Sequence, residues 1–521
     1  MGTAGRRAAL RAGTVAIGIA LAVAGCSDDS APGSVDEPTE SETASSGEPL
    51  TAPVLEGAVG ARQVRVTLDG LTVAGDDAVL EATVEVLGDD DGGESLGFAF
   101  SGAVQSGAVD EPRLVDLTTG VVHEVARDAE GDCVCTRGPL DLEPGVSTPV
   151  QMVFAAPEPG VEEIAVLWPH LGLAEGVPVR DGDLPAPHAE DAGARTTPPD
   201  PADVVSALVA LLESYSQTPD ESVRTRGGGE LITVELAADV LFAVDSAEIV
   251  PGASQALDLA AAQVLARGPG DLSVVGHTDD TGDEAYNLDL SRRRAEAVAA
   301  AAAVAGTLDP LQPPVTVEGR GEAEPSVPGT SAEARRLNRR VTLVHTLDAA
   351  PPEGGQVAAE AGEPPPTSGV TGTGAEGVQL TEGSATFRVS APGARRAGDV
   401  LVVDLLVEVD GPEPALAGGL LASGAFSARG DFDAFSQYSS VGVRLVGAST
   451  QTYSLDYVVQ APEQPDDVPS RTCPCDRWQN LEVPPGVAST VTVVFPDPGP
   501  DVGSVVIEVE DAFRLTDVPV R

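Results

Sequence analysis

The sequence predicts a multidomain chain: a central α/β domain, with helices packed on a mixed sheet, flanked by two homologous β-sandwich modules. Three observations predict it. Near the middle, β-branched runs alternate with alanine- and leucine-rich stretches of helical period. On either side, short alternating apolar runs are separated by Gly, Asp and Pro clusters, the pattern of antiparallel sheets with one buried face. Residues of the first flank also recur, in order, in the second.

Taken in chain order, residues 1–25 read as an export signal. Arg6, Arg7 and Arg11 give a positive start, 14–22 is an apolar run too short to span a bilayer, and Val23, Ala24, Gly25 and Cys26 form a small-residue cleavage box. This box resembles that of bacterial lipoproteins, which implies that Cys26 becomes the lipidated first residue of the mature chain; an ordinary secretory peptide is the alternative. Arg6 and Arg7 partly resemble a twin-arginine signal, but Gly5 stands where Ser or Thr is usual and Ala9 lacks bulk. Sec export is therefore expected. Residues 26–56, rich in Ser, Pro, Glu, Asp and Thr, cannot bury enough surface to fold and read as a disordered acidic tether. Its reach is roughly 30 Å when flexible and at most about 100 Å when extended. Such a tether would lift the folded domains off a membrane surface, toward a wall layer.

The first sandwich module spans 57–180, with apolar runs at 64–68, 79–86, 150–154 and 164–167. Residues 181–229 read as a linker holding a short helix at 202–215. There Asp203 is the expected cap, and Val204, Val205, Leu208, Leu211 and Leu212 form an apolar face. The absence of basic residues on its polar side favours packing on a neighbouring domain over lying on a membrane. The central domain, 230–348, reads as strands at 231–236, 272–275, 315–318 and 341–345, with helices at 253–266, 285–304 and 332–336. Residues 349–377 are a second Pro/Gly/Glu linker, and 378–521 the second module.

The repeat is specific. Cys133, Cys135, Arg137, Pro144, Phe154 and the run ending at Arg180 are echoed by Cys473, Cys475, Arg477, Pro485, Phe495 and the run ending at Arg521. Val84 to Val86 matches Val407 to Val409, so the offset grows from 323 to 340 and the second copy carries 17 extra residues, expected around 422–440. Loops of this kind are where such modules acquire binding differences.

Charge excludes some functions. Against 82 acidic residues stand 30 basic ones, every one an arginine, for a net charge of −52. Nucleic acid is excluded as a partner, because phosphate binding needs a basic surface. Acidic partners must instead be met locally, at a few arginines in a screened pocket.

The most informative stretch is a strand ending at Val275, a loop containing Gly276, His277, Thr278 and Asp279, and a helix carrying Asn287, Leu290, Ser291, Arg294 and Ala295. Asp279 just past the strand and Arg294 about two turns into the helix can face one small cleft. A carboxylate there suits an ammonium, and a guanidinium fork suits a carboxylate. Together with residues 241–249, Gly319 to Glu322 and Asn338 to Val341, this stretch resembles the OmpA-like peptidoglycan-binding domain over roughly 230–347. The resemblance implies that Asp279 and Arg294 hold the meso-diaminopimelate of the wall stem peptide, with Thr278 and Asn287 in support. Arg339 or Arg340 either lines the pocket or only pairs with acidic neighbours. In that family the domain usually ends the chain, so its position between two modules is a departure.

Cys133, Cys135, Cys473 and Cys475 form an even set in an exported chain, which points to disulfides. Closure within each Cys-x-Cys is expected first, bridges between modules second, and a shared four-thiolate metal site third, since both spacings fall short of the usual zinc pattern. The five histidines are scattered, with His277 expected to be structural. No nucleophile elbow, metalloprotease motif or phosphate loop is present, and acidic pairs such as Asp279 and Asp280 are expected by chance among so many carboxylates. The expectation is a lipid-anchored, non-enzymatic envelope protein without a cofactor, facing wall or periplasm. It would bind peptidoglycan and tie membrane to wall. The alternative is a scaffold whose two sandwich modules bind an envelope protein or glycan.

Overall fold

The computed structural model describes residues 52–521 except 89–98, 102–106, 139–141, 143, 188–198, 305–314, 349–361, 418, 423–428, 430, 433–438, 461–469 and 476–481. The export signal, Cys26 and nearly all of the tether lie outside the described residues.

In the first all-β region, alternation decides the faces. Strands β1 (Val54–Val59), β2 (Arg62–Ala74) and β3 (Asp77–Leu87) bury Val64, Val66, Leu68, Leu80, Val84 and Val86, while the residues between them stay partly exposed. With β4 (Arg113–Asp116), β5 (Val121–His123), β6 (Ser147–Ala155), β7 (Glu163–Trp168) and β8 (Gly172–Asp181) they enclose an apolar core. At its centre the rings of Phe100 and Trp168 meet edge to face, centroids 5.6 Å apart. Strand β1 begins at Val54, so ordered structure starts two residues before the expected end of the tether.

The connecting segment departs from expectation. In place of a helix over 202–215 there is one short turn, Pro201–Asp203, whose cap is the side chain of Asp200 rather than Asp203. Two strands follow, β9 (Val209–Leu211) and β10 (Ser214–Gln217). β9 pairs with β5, and β10 pairs with Gln451–Tyr453 of the second all-β region. The physical reason is non-local. Open sheet edges on both sides offer this β-branched backbone ladder partners, including Leu212 N to Gly120 O at 2.7 Å and Glu213 N to Asp456 O at 2.7 Å, and these outweigh a helical period. The end of the expected linker is likewise a strand, β11 (Val223–Gly228).

The central domain follows with β12 (Leu231–Ala237), α1 (Ala238–Leu241), α2 (Ser254–Ala266), β13 (Gly270–His277), α3 (Glu284–Val304), β14 (Thr316–Gly321), α4 (Ala332–Asn338) and β15 (Arg340–Leu347). Its strands run in the order β14-β13-β15-β12-β11-β10; β13 and β14 are parallel and the other neighbours antiparallel. This is a mixed sheet with helices, as expected. Helix α3 approaches the sheet closely at two glycines. A Cβ on Gly276 would lie 2.0 Å from the Ser291 carbonyl oxygen, and one on Gly319 would lie 2.5 Å from Arg292 N. The helix therefore rides directly on the backbones of β13 and β14, where only glycine leaves room. Ser291 fixes it there, its Oγ accepting from Gly321 N at 3.0 Å.

The second linker ends earlier than expected, because β16 (Val370–Thr373) pairs in parallel with Phe513–Pro519. Beyond it, β17 (Val378–Glu382), β18 (Ala385–Ser390), β19 (Ala394–Ala397) and β20 (Val400–Val409) build a second apolar core with Phe387, Leu405, Phe495 and Phe513. Strand pairing corrects the location of the extra residues. The offset is 323 at Asp77/Val400 and 330 at Arg113/Val443, where Leu114 lies opposite His123 just as Arg444 lies opposite Tyr453. It reaches 340 at Cys133/Cys473, so seven of the 17 extra residues precede 443 and ten fall between 453 and 473.

Candidate functional site

The site is built where β13 ends. Asp279 follows the strand, buried at 8% exposure, and its carboxylate is held on both sides. Oδ1 accepts from Thr281 N at 3.0 Å and from the Thr281 hydroxyl, and Oδ2 accepts from Arg339 Nη1 at 2.7 Å. Burial alone would raise its pKa, but the bonds from Thr281 and Arg339 outweigh burial and hold it below the usual carboxylate value. Arg339 is the C-cap of α4 and also grips Asp239 of α1, Nε to Oδ1 at 2.8 Å.

Arg294 projects from α3. Its Nε donates to the Ser246 carbonyl at 2.9 Å, and its guanidinium lies 5.2 Å from the Phe242 ring centroid. Among the described residues neither Nη has a hydrogen-bond partner. Burial lowers its pKa, partly offset by Asp239 and Asp245, and the Arg339 cation acts on it too. Arg339 is thus ion-paired to Asp279.

The supporting residues divide by role. Asn287 knits the loop together, its Nδ2 donating to Thr281 O at 3.0 Å and Glu322 Oε2 at 2.9 Å, with a weaker contact to Asp279 O at 3.4 Å. Gly282, at φ 103°, supplies the left-handed turn just before α3. Thr278 N donates to Gly321 O at 2.8 Å, while its hydroxyl is buried without a partner among the described residues. His277 is buried with its pKa pushed down to about 2 by burial, then by Arg340 and Arg320. It stays neutral, and its Nδ1 has no hydrogen-bond partner among the described residues, so the hydrogen-bonding role expected of it is not seen there.

Arg340 does not join the site. It is buried at the start of β15 and pairs with Glu235 at 2.9 Å, and Arg224 meets the same carboxylate at 3.2 Å. Its carboxylate partner is thus an acidic neighbour on β12. Residues that sequence reasoning missed are Thr281, Asp239, Phe242 and Ser246. Thr281 stands two residues beyond Asp279, a turn spacing that could have been recognised. The other three arrive by tertiary folding and carry no local signal.

The OmpA family matches residues 241–339, the stretch that contains every group of this site except Asp239. The outer-membrane lipoprotein YfiB of Pseudomonas aeruginosa is 32% identical over 155 residues, covering 29% of this chain and 84% of that relative. The chain belongs to the OmpA family. Outer membrane protein A of Bordetella avium is 39% identical over 106 residues, 20% of this chain and 53% of that protein, so the chain spans about half the length of that relative. The peptidoglycan-binding protein ArfA of Mycobacterium bovis is 32% identical over 108 residues, 20% of this chain and 31% of that protein. The OmpA domain thus accounts for about a fifth of this chain, and the all-β regions lie outside the family match.

Proposed function

We propose that the OmpA domain binds peptidoglycan noncovalently through the meso-diaminopimelate of the stem peptide. Asp279, shared with Arg339, takes the ammonium. The unpartnered Nη atoms of Arg294 take the carboxylate as a fork. Thr278 offers its buried hydroxyl to the ligand, and Asn287 keeps the loop in shape. The carrying observation is a buried carboxylate just past β13 and, on α3, a guanidinium with open donors, both inside the family match. The relative named for peptidoglycan binding supports the same reading.

With Cys26 lipidated and the tether extended, the protein would sit in the cell envelope and tie a membrane to the wall without catalysis. The two all-β regions are proposed as copies of one sandwich module, since β1, β3 and β4 have counterparts in β17, β20 and Val443–Val446. Each brings its cysteines together, Cα atoms 5.3 Å apart for Cys133 and Cys135 and 5.2 Å for Cys473 and Cys475, and both pairs are proposed to be disulfides in the exported protein.

Co-sedimentation with purified sacculi tests the binding. Wild type pellets with walls, and Asp279→Asn with Arg294→Ala stays in the supernatant while remaining folded by circular dichroism. Equal pelleting of the double variant would refute the pocket, and release of soluble fragments from the walls would refute the non-catalytic reading.

A further inference from the structure

Arg339 meets two carboxylates at once. Its Nη1 donates to Asp279 Oδ2 at 2.7 Å, while Nε and Nη2 form a fork on Asp239, at 2.8 Å to Oδ1 and 2.5 Å to Oδ2. The fork is the more directed contact, since two parallel bonds fix the plane of a guanidinium and a single bond does not. Asp239 is firmly placed although its side chain is half exposed. Ala238 and Leu241 of the same short helix, α1, are buried in the domain core, and Ala238 N donates to the Arg339 carbonyl at 2.9 Å. Asp239 lies ahead of residues 241–339, so the family match gives it no role.

A carboxylate offers about four acceptor positions. At Asp279, Thr281 fills two of them through its backbone N and its hydroxyl, and Arg339 Nη1 fills another, so about one remains for a ligand. We propose that Asp239 is a positioning residue of the site: it occupies Nε and Nη2 of Arg339 and thereby keeps the last acceptor position of Asp279 open for the ligand ammonium. This rests on the reading that Asp279 takes the ammonium. Freed from Asp239, the guanidinium can turn a second N–H onto Asp279 and close as a fork, which fills the position the ammonium needs. Arg339 would then be an internal competitor, with the same charge and the same kind of donor as the ligand. Arg294 is held elsewhere, on the Ser246 carbonyl, so the carboxylate end of the ligand should not feel the change.

The test titrates the full chain with two soluble stem peptides. One carries meso-diaminopimelate, and the other carries 2-aminopimelate, which keeps the second carboxylate and has hydrogen in place of the free amine. Wild type is expected to favour the first; equal affinity for both would overturn the ammonium reading, and the role of Asp239 with it. Given that preference, Asp239→Asn, which keeps the shape of the side chain and removes its charge, is expected to bind the meso-diaminopimelate peptide about three- to fivefold more weakly. Its affinity for the 2-aminopimelate peptide should stay within about twofold of wild type, and Asp239→Glu should recover most of the loss. In an Arg339→Gln background the same Asp239→Asn change is expected to move neither affinity by more than about twofold, because the competitor is gone. An unchanged preference in Asp239→Asn would overturn the positioning role alone. Equal weakening of both peptides would mark a merely structural residue and overturn it too, as would the full loss persisting without Arg339.

Discussion

The second all-β region and the OmpA domain use the same side chain in opposite ways. In the former, Arg429, Arg444, Arg471 and Arg514 are buried against carboxylates. Asp456, fully enclosed, is met by Arg226 at 2.7 Å, Arg429 at 2.7 Å and Arg471 at 2.8 Å. Glu508 is clamped by Arg444 at 2.7 Å and by Arg514 Nε at 2.6 Å. At the edge of the OmpA domain, Arg335 and Asp280 pair in the open, and Arg294 keeps donors unused. The contrast even falls between chain neighbours: Arg339 faces Asp279, and Arg340 is sealed against Glu235. In a chain with no lysine, a carboxylate partner rather than burial separates a fastened guanidinium from one with open donors: Arg340 at 7% exposure is paired with Glu235, and Arg294 at 5% has no carboxylate in hydrogen-bond reach among the described residues. Arg226 extends the first role across the chain, linking β11 to Asp456 near the continuous ladder through β10.

The hardest way to break this comparison is to cut a fastener. Asp456→Ala leaves buried guanidinium groups unpaired and is expected to cost about 3–5 kcal/mol of stability, read by calorimetry or denaturant melts. A cost no larger than that of a surface pair would erase the distinction. Next, Arg294→Ala should remove about 2 kcal/mol or more of wall affinity, with little change in melting, because the side chain closes no buried ion pair.

Acid should separate the two roles as well. The pKa of Asp456 is lowered: burial acts to raise it, and Arg226, Arg429 and Arg471 outweigh burial. A depressed carboxylate contributes stability that is fully present above its unfolded pKa and is lost as pH falls through the folded pKa. Melting temperature should therefore hold near neutrality and fall below the ordinary carboxylate range, and Asp456→Asn should flatten that acid limb. Asp279 is lowered by Thr281 and Arg339 against the pull of burial, so wall binding should persist below the ordinary carboxylate value before it fails. Loss of binding at a pH where ordinary carboxylates are still ionised would contradict the role given to Asp279. The smallest effect is expected of Arg335→Ala, which breaks an exposed, solvent-screened pair with Asp280 and should leave melting temperature and wall binding nearly unchanged.

Much of the OmpA domain was legible because its elements are long or strongly patterned: α3, β13 and β15 lie within a few residues of expectation. The strand–loop–helix unit that carries Asp279 and Arg294 was legible too, with Asp279 just past β13 and Arg294 on α3. The connecting segment was not. Val204, Val205, Leu208, Leu211 and Leu212 have helical spacing, yet Val205 and Leu211 are exposed and only Leu212 is buried, in the cluster shared by the two all-β regions. Edges belonging to residues hundreds of positions apart chose strand over helix there, and no local window contains them. The division between Arg339 and Arg340 was hidden for the same reason, because Glu235 and Asp239 reach them from β12 and α1.

The central claim, that Asp279 and Arg294 together read a zwitterion, is tested most directly by titrating the mature chain with two soluble stem peptides. One carries meso-diaminopimelate, and the other carries L-lysine in its place, which keeps the ammonium and lacks the second carboxylate. The account predicts binding of the first, at least about tenfold weaker binding of the second, and loss of that preference in Arg294→Ala. Equal affinity of the folded wild-type protein for both peptides would contradict it.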